Sequence, residues 1–334
     1  MEYISLPANQ SALSVPVFPG PQALAVSFMS TPPTLPIDSR HVALQFARRG
    51  DLAGAQFLHD EIARRMASRL KLIRLQPELI LDAGCGAGQR LNLLNERYPV
   101  ARYIGQDHCG PALALARSRH RNTWRTLADR LRGAAPRVQW IGGDLATTGL
   151  PPESVDLVWS NLALHWHPKP HQVLQEWGRV LRVGGLVFFS CFGPNTLREL
   201  REALTLADLQ TATPAFVDMH DFGDLLVERG FADPVMDQER ITLTYESPDK
   251  LLQDVRALGG NPAIGRRAGL AARAWRERLM SALASRREPD GRIHLTLEVA
   301  YGHAWRSATL RHAPGETHVS VSAIQRKPSS RNPP

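Results

Sequence analysis

Cysteine is scarce in this chain: Cys85, Cys109 and Cys191 are the only three in 334 residues, far apart and set among apolar neighbours. They supply no disulfide framework and no metal-ligand spacing, and they point to a reducing compartment. No apolar run is long enough to cross a bilayer. The chain does not open with a charged start followed by an apolar run, or with an arginine-rich amphipathic helix. Neither a secretory signal nor a transit peptide is supported, and a cytoplasmic protein without a membrane partner is expected. There is no internal repeat and no long basic block. The net charge of +8 comes mostly from arginines scattered through predicted helices, such as Arg64, Arg65, Arg117 and Arg276. Scattered charge is usually solvated surface, although it also attracts an acidic partner, whether nucleic acid or an acidic carrier protein. With 43% apolar and 22% charged residues the composition is that of a soluble globular protein, long enough to bury a sizeable core.

The stretch Glu78 to Gly88, Glu-Leu-Ile-Leu-Asp-Ala-Gly-Cys-Gly-Ala-Gly, organises the rest. Leu79 to Leu81 reads as a buried parallel strand, and Gly84, Gly86 and Gly88 follow before a helical pattern that starts near Ala87. Glycine is what a backbone needs where it must take positive φ and let a ligand come close. The start of the next helix would then offer free N–H groups. The spacing is not the Gly-x-Gly-x-x-Gly dinucleotide fingerprint, and the acid at the strand end, Asp82, would repel a pyrophosphate. A carboxylate there suits a cation with an amino-acid head, which points to S-adenosylmethionine. A tight strand-to-helix turn in any α/β domain would also account for this segment taken alone.

Further along, strands and helices alternate. Strand two, Ala101 to Gln106, ends at Asp107; an acid in that place can accept two hydrogen bonds from ribose hydroxyls. A helix from Pro111 to about Asp129 precedes strand three, Val138 to Ile141, which ends in Gly142-Gly143-Asp144-Leu145. Asp144 and the backbone of Leu145 would stand near an adenine. Strand four, Val155 to Asn161, should face the reacting group. Ligands of open α/β sheets bind at the carboxyl ends of the strands, so Asp82, Asp107, Asp144 and Asn161 should share one crevice. His165, His167 and His171 have no cysteine or paired carboxylate beside them, so no metal site is expected. A helix from Gln172 to Leu181, stopped by Gly184-Gly185, leads to strand five, Leu186 to Phe192.

The series Asp-Ala-Gly-Cys-Gly-Ala-Gly (82–88), Gly-Gln-Asp (105–107), Gly-Gly-Asp-Leu (142–145), Trp-Ser-Asn-Leu-Ala-Leu-His-Trp (159–166) and Arg-Val-Leu-Arg-Val-Gly-Gly (179–185) resembles the class I S-adenosylmethionine-dependent methyltransferases. That resemblance implies a Rossmann-like α/β fold, a mostly parallel seven-stranded sheet with helices on both faces and a helical cap. Within the family, residues 159–166, 192–200, 218–226 and 298–305 resemble the BioC group, the malonyl-acyl-carrier-protein O-methyltransferases of biotin synthesis. The implied cofactor is S-adenosylmethionine, bound by Asp82, Gly84, Cys85, Gly86, Gly88, Asp107, Asp144, Leu145 and Asn161, and the implied partner is malonyl-acyl carrier protein rather than nucleic acid. The segment after Arg48-Arg49 lacks the aromatic-Asp dipeptide usual in that group. The alternatives are a non-methylating assembly or hydroxylation-related factor like the complex I assembly group, or a methyltransferase for another small acid.

A malonyl carboxylate is ionised at neutral pH, so its methylation needs no general base. No residue is therefore assigned as acid or base. A cation should hold the carboxylate, for which Arg48 and Arg49 of a predicted lid (two helices between Asp38 and Leu75) and Arg198 are candidates. Asn161 and Trp166 should shape the pocket. Residues 1–37 read as a disordered arm, 38–310 as one methyltransferase domain and 311–334 as a flexible tail. Helices are expected at Asp218 to Gly230, Pro248 to Leu258 and Leu270 to Ser285, and the last two strands at Arg240 to Tyr245 and Ile293 to Tyr301.

Overall fold

A computed structural model of the protein describes residues 34–49, 56–120, 137–267, 269 and 272–308. The predicted arm, apart from 34–37, lies outside the described residues, as do the tail, the far end of the helix toward Asp129 and the altered segment after Arg49.

Short apolar runs become strands wherever glycines and polar clusters bound them. β1 (Leu79–Ala83), β2 (Arg102–Asp107), β3 (Val138–Gly142), β4 (Val155–Asn161) and β5 (Leu181–Phe192) are parallel; β7 (Ile293–Arg306) runs antiparallel to β5, and β6 (Phe231–Tyr245) antiparallel to β7. The spatial order is β3-β2-β1-β4-β5-β7-β6. Side chains alternate between faces. Ile80, Leu157, Trp159, Leu186 and Phe188 enter one core, and Leu81, Val158, Val187 and Phe189 the other. Both faces are covered, which is why β1 and β4 each carry an unalternating apolar run, Leu79 to Leu81 and Leu157 to Trp159. The first core is closed by α2 (Gln56–Leu70), α3 (Leu91–Arg97), α6 (Arg198–Leu206), α8 (Pro248–Ala257) and α9 (Arg273–Ala284). The second takes Val42 of α1 (Ser39–Arg49), Val173 and Trp177 of α5 (Pro170–Val180) and Phe222 and Leu226 of α7 (Met219–Glu228). α4 (Gly110–Arg119) lies against β2 and β3. No helix among the described residues is long and apolar enough to cross a membrane.

Several boundaries differ from expectation for physical reasons. α3 starts at Leu91, not near Ala87, because Gly86 and Gly88 both hold positive φ (55° and 73°), a conformation no right-handed helix contains. α5 ends at Val180, and the expected glycine stop belongs instead to β5. There Leu181 pairs with Val155 and the register jumps to Leu157 opposite Leu186, so residues 182–185 form a bulge. Leu44 of α1 and Phe57 of α2 are about half exposed (53% and 52%). β6 starts nine residues before Arg240; it is the sheet edge, and its exposed positions carry Asp233, Asp237 and Arg240, so no simple apolar alternation announces it.

Candidate active site

The strand order reverses between β1 and β4, and a cleft opens there at the carboxyl ends of the strands. Gly84 and Gly86 line its floor, and Gly88 stands behind the loop against Trp140 and Ala116. Gly84 stands at φ 82°, and a Cβ on it would lie 2.2 Å from that of Ala163, so only glycine lets the β1 and β4 loops meet. The Gly84 and Cys85 N–H groups donate to the Gln106 carbonyl at 2.8 and 2.9 Å. A Cβ on Gly88 would lie 2.4 Å from the Trp140 ring.

The three strand-tip acids line this one cleft, each in a different electrical setting. Asp107 is fixed by backbone: Gly86 N–H donates to Oδ2 and Cys109 N–H to Oδ1, both at 2.8 Å. Each oxygen keeps a second lone pair for a ligand. Asp82 is 1% exposed and accepts the Tyr103 hydroxyl at 2.5 Å. Burial pushes its pKa up to about 7; the Tyr103 hydrogen bond and the Arg90 charge oppose this, and Asp107 adds to it. A buried carboxylate whose close donor is a neutral phenol fits a cationic ammonium. Asp144 is held below the usual carboxylate range, first by His167, whose Nε2 lies 3.2 Å from Oδ1, and also by the Ala146 N–H at 2.8 Å. Lys169 N–H donates to His167 Nδ1, so the neutral ring carries its proton on Nε2 and gives it to Asp144. Leu145 lines the cleft beside Asp144. These features fit the parts of S-adenosylmethionine: an acid for the amino-acid head, a fixed carboxylate for ribose hydroxyls and a strand tip for the base.

Asn161 lines the cleft, but its amide is already used. Its Nδ2 donates to the His59 carbonyl of α2 and its Oδ1 accepts from Ser190, both at 3.0 Å, so it fastens α2 across β4 and β5. Trp166 sits in a 3-10 turn after β4, edge-on to Phe46 of α1 with ring centres 5.5 Å apart. Gly259 (φ 145°) makes room for it, because a Cβ there would come within 2.0 Å of the ring. Phe46 also meets His108 edge-on at 6.3 Å, so α1 spans the cleft from the tip of β2 to the turn after β4. The strap before α1 is tied down by Leu35 N–H to the Pro168 carbonyl (2.8 Å) and Ile264 N–H to the Pro36 carbonyl (2.9 Å).

The candidate arginines fare differently. Arg198 is not in the cleft; it pairs with Glu199 at 2.9 Å and lines a separate polar pocket with Glu202, Arg286 and His294. Glu199 explains this, because it accepts from the Thr296 N–H and hydroxyl of β7 (2.8 and 2.6 Å), turning the start of α6 outward. Arg48 is exposed on α1 and does not line the cleft, and the Arg49 side chain lies outside the described residues. The arginine that does line the cleft is Arg90, which the sequence reading passed over; it is paired with Asp60 of α2. Its one sequence signal was its place just after the glycine loop. His59 and Gln56 were also missed; with Val42 and Phe46 of the expected lid helices they reach the cleft only through packing of the two N-terminal helices.

Residues 81–189 match the family described as methyltransferase domain. The malonyl-[acyl-carrier protein] O-methyltransferase of Laribacter hongkongensis is 45% identical over 256 residues, 76% of this chain and 84% of that protein. The enzyme of the same name from Nitrosospira multiformis is 40% identical over 279 residues, 81% of this chain and 90% of its own. Among solved structures, a methyltransferase candidate from Bacillus halodurans C-125 shares the fold with a TM-score of 0.50 at 16% identity, covering 73% of this chain and all (100%) of that one.

Proposed function

The chain belongs to the family of malonyl-[acyl-carrier protein] O-methyltransferases, and from that premise we infer that it methylates the free carboxylate of a malonyl group carried on acyl carrier protein. It is an S-adenosylmethionine-dependent methyltransferase. The observation that carries the substrate is the reach of the likeness, 256 residues at 45% identity where the methyltransferase domain alone spans 81–189. The methyl ester so formed masks one end of the malonyl unit, which suits entry into biotin-precursor synthesis. The cytoplasm is the compartment that holds both partners.

S-adenosylmethionine, when bound, supplies an electrophilic methyl group on a sulfonium. Asp82 takes the ammonium of its amino-acid head, Asp107 the ribose hydroxyls, and Asp144 with Leu145 the adenine edge. Gly84, Cys85, Gly86 and Gly88 give the close backbone approach. Asn161 holds α2 in place over the reacting end, and Trp166 with Phe46 shuts out water. The acceptor carboxylate is ionised at working pH, so no residue has to remove a proton. What the protein adds is placement, and well-oriented reactants can gain roughly 7–11 kcal/mol of the barrier that way. We assign the domain to 34–310, its start moved ahead of 38 because Leu35 and Ile37 are buried in the second core. The net charge of +8 favours encounter with an acidic carrier.

Incubation with methyl-labelled S-adenosylmethionine and malonyl-acyl carrier protein tests the reading. Label is expected in a base-labile ester on the carrier. Cofactor binding without any ester on malonyl carrier would refute it and leave a binding role.

A further inference from the structure

Between the cleft and the cap lies a second, apolar pocket lined by Trp166, Phe192, Leu197, Pro214, Phe216 and Leu258. Trp166 belongs to both cavities. One polar side chain without a full set of partners is packed behind those rings, lining neither cavity. His165 is 2% exposed, and its ring lies 4.9 Å from Trp166, 4.7 Å from Phe192 and 5.7 Å from Phe216, centre to centre. Phe192 N–H donates to its Nδ1 at 3.4 Å, so the neutral ring carries its proton on Nε2. That Nε2–H has no protein partner among the described residues. Burial, with the nearby His59 adding to it, lowers the ring's pKa to about 3, so it stays neutral at working pH. A buried donor left unpaired costs free energy unless something else accepts from it.

The two ends of a malonyl thioester place different demands on a donor. The carboxylate loses its charge as the ester forms, so a donor aimed at it would be weaker in the transition state than in the ground state. The thioester carbonyl, one methylene away, is neutral before and after. A neutral N–H in an aromatic box matches it. We propose that His165 is a substrate-binding residue whose Nε2–H donates to the thioester carbonyl oxygen of the malonyl arm, which reaches the cleft through the apolar pocket beside Trp166. This rests on the malonyl-carrier reading above.

The test uses binding without turnover. The full chain is saturated with S-adenosylhomocysteine and titrated calorimetrically with malonyl carrier, and with a carrier bearing a 2-carboxyethyl thioether, which keeps the carboxylate and lacks the carbonyl. Wild type is expected to bind the thioether about tenfold more weakly, the size of one buried hydrogen bond. His165→Phe, which refills the aromatic box without a donor, should bind both carriers alike, at about the thioether level. His165→Gln, which restores an N–H, should recover most of the preference. In turnover, His165→Phe should raise KM about tenfold with kcat little changed, because the bond is made equally in ground and transition states. Wild type that binds the two carriers equally overturns the assignment whether or not the variants fold. So does a His165→Phe protein with normal S-adenosylhomocysteine affinity and a lowered kcat at unchanged KM. A wild type that methylates malonyl carrier without discriminating removes only this inference; one that never methylates it removes the function too.

Discussion

Replacing Asp82 by asparagine isolates one buried charge whose effects on folding and on binding run in opposite directions. In the folded, ligand-free protein Asp82 titrates at about 7, against 3.8 for the ordinary group. Between those values the native state holds a proton that the unfolded chain has lost, so stability falls as pH rises from about 4 to 7. The contribution is fully present below 3.8 and gone above about 7. Three units correspond to about 4 kcal/mol. Ligand-free Asp82→Asn, which can still accept from Tyr103, should therefore unfold several degrees higher than wild type at pH 8, and the difference should shrink toward pH 4. Cofactor binding has the opposite sign. An ammonium needs the ionised carboxylate, so association at pH 6 must expel the proton, and affinity there should be about tenfold lower than at pH 8. Calorimetric titration with S-adenosylhomocysteine, in two buffers of different ionisation enthalpy, reads both the affinity and the proton released. The asparagine variant should bind weakly and without pH dependence over that range. Equal wild-type affinity at pH 6 and 8 with no proton release would refute the placement of the ammonium at Asp82.

Asp107→Ala should weaken S-adenosylhomocysteine binding at least about tenfold, since hydrogen bonds to a charged acceptor are worth about 1.5–3 kcal/mol each, with kcat at saturating cofactor much less affected. It also frees the Gly86 and Cys109 N–H groups, so Asp107→Asn is the control, and an unchanged affinity in both would remove Asp107 from the site. Gly259→Ala should cost about 1–3 kcal/mol of stability, read as a lowered denaturation midpoint, because the new methyl meets the Trp166 ring; an unshifted midpoint would contradict that packing. Glu199→Ala should detach the start of α6 from β7 by leaving the Thr296 N–H and hydroxyl unpaired, for about 2–3 kcal/mol, without changing cofactor affinity. Denaturant titration and cofactor calorimetry together check that separation.

The parts of the site that could be read from the sequence were those set by local demands. Gly84 and Gly88 are required by a bend and by neighbours, and an acid at a strand tip announces itself by position. β4 was placed at its observed ends because its apolar run, Leu157 to Trp159, lies in a short segment that runs into the polar pair Ser160-Asn161. What could not be read depends on pairings across the chain. Arg198 lies outside the cleft because Glu199 meets Thr296, 97 residues away. Arg90 enters it because Asp60 of α2 packs over the glycine loop. Asn161 lines the cleft, but its amide serves the His59 carbonyl and Ser190, contacts that only the docked helix and the neighbouring strand create. Leu44 and Phe57 stay half exposed because helical periodicity marks an apolar stripe without saying how much of it a neighbour covers.

With Arg198 and Arg48 outside the cleft and Arg90 already paired, no unpaired arginine lines the cleft among the described residues to hold the acceptor carboxylate. The reaction's own charges make this reasonable. A carboxylate meeting a sulfonium becomes a neutral ester and a neutral thioether, so charge is lost along the path, and attraction between the reactants grows as the surrounding dielectric falls. Val42 and Phe46 of α1, with Leu162 and Trp166 after β4, supply such an apolar surround. A further arginine beside the donor would compete with the sulfonium for the carboxylate and repel it as well. Asp60 instead neutralises the one arginine that the glycine loop brings in, leaving the positive end of the cofactor as the cation the malonyl carboxylate meets. On this argument, disrupting the pair by Asp60→Asn should weaken cofactor binding more than carrier binding, and a tighter hold on the carrier with unchanged cofactor affinity would show that a protein cation, not the sulfonium, governs the approach of the acid.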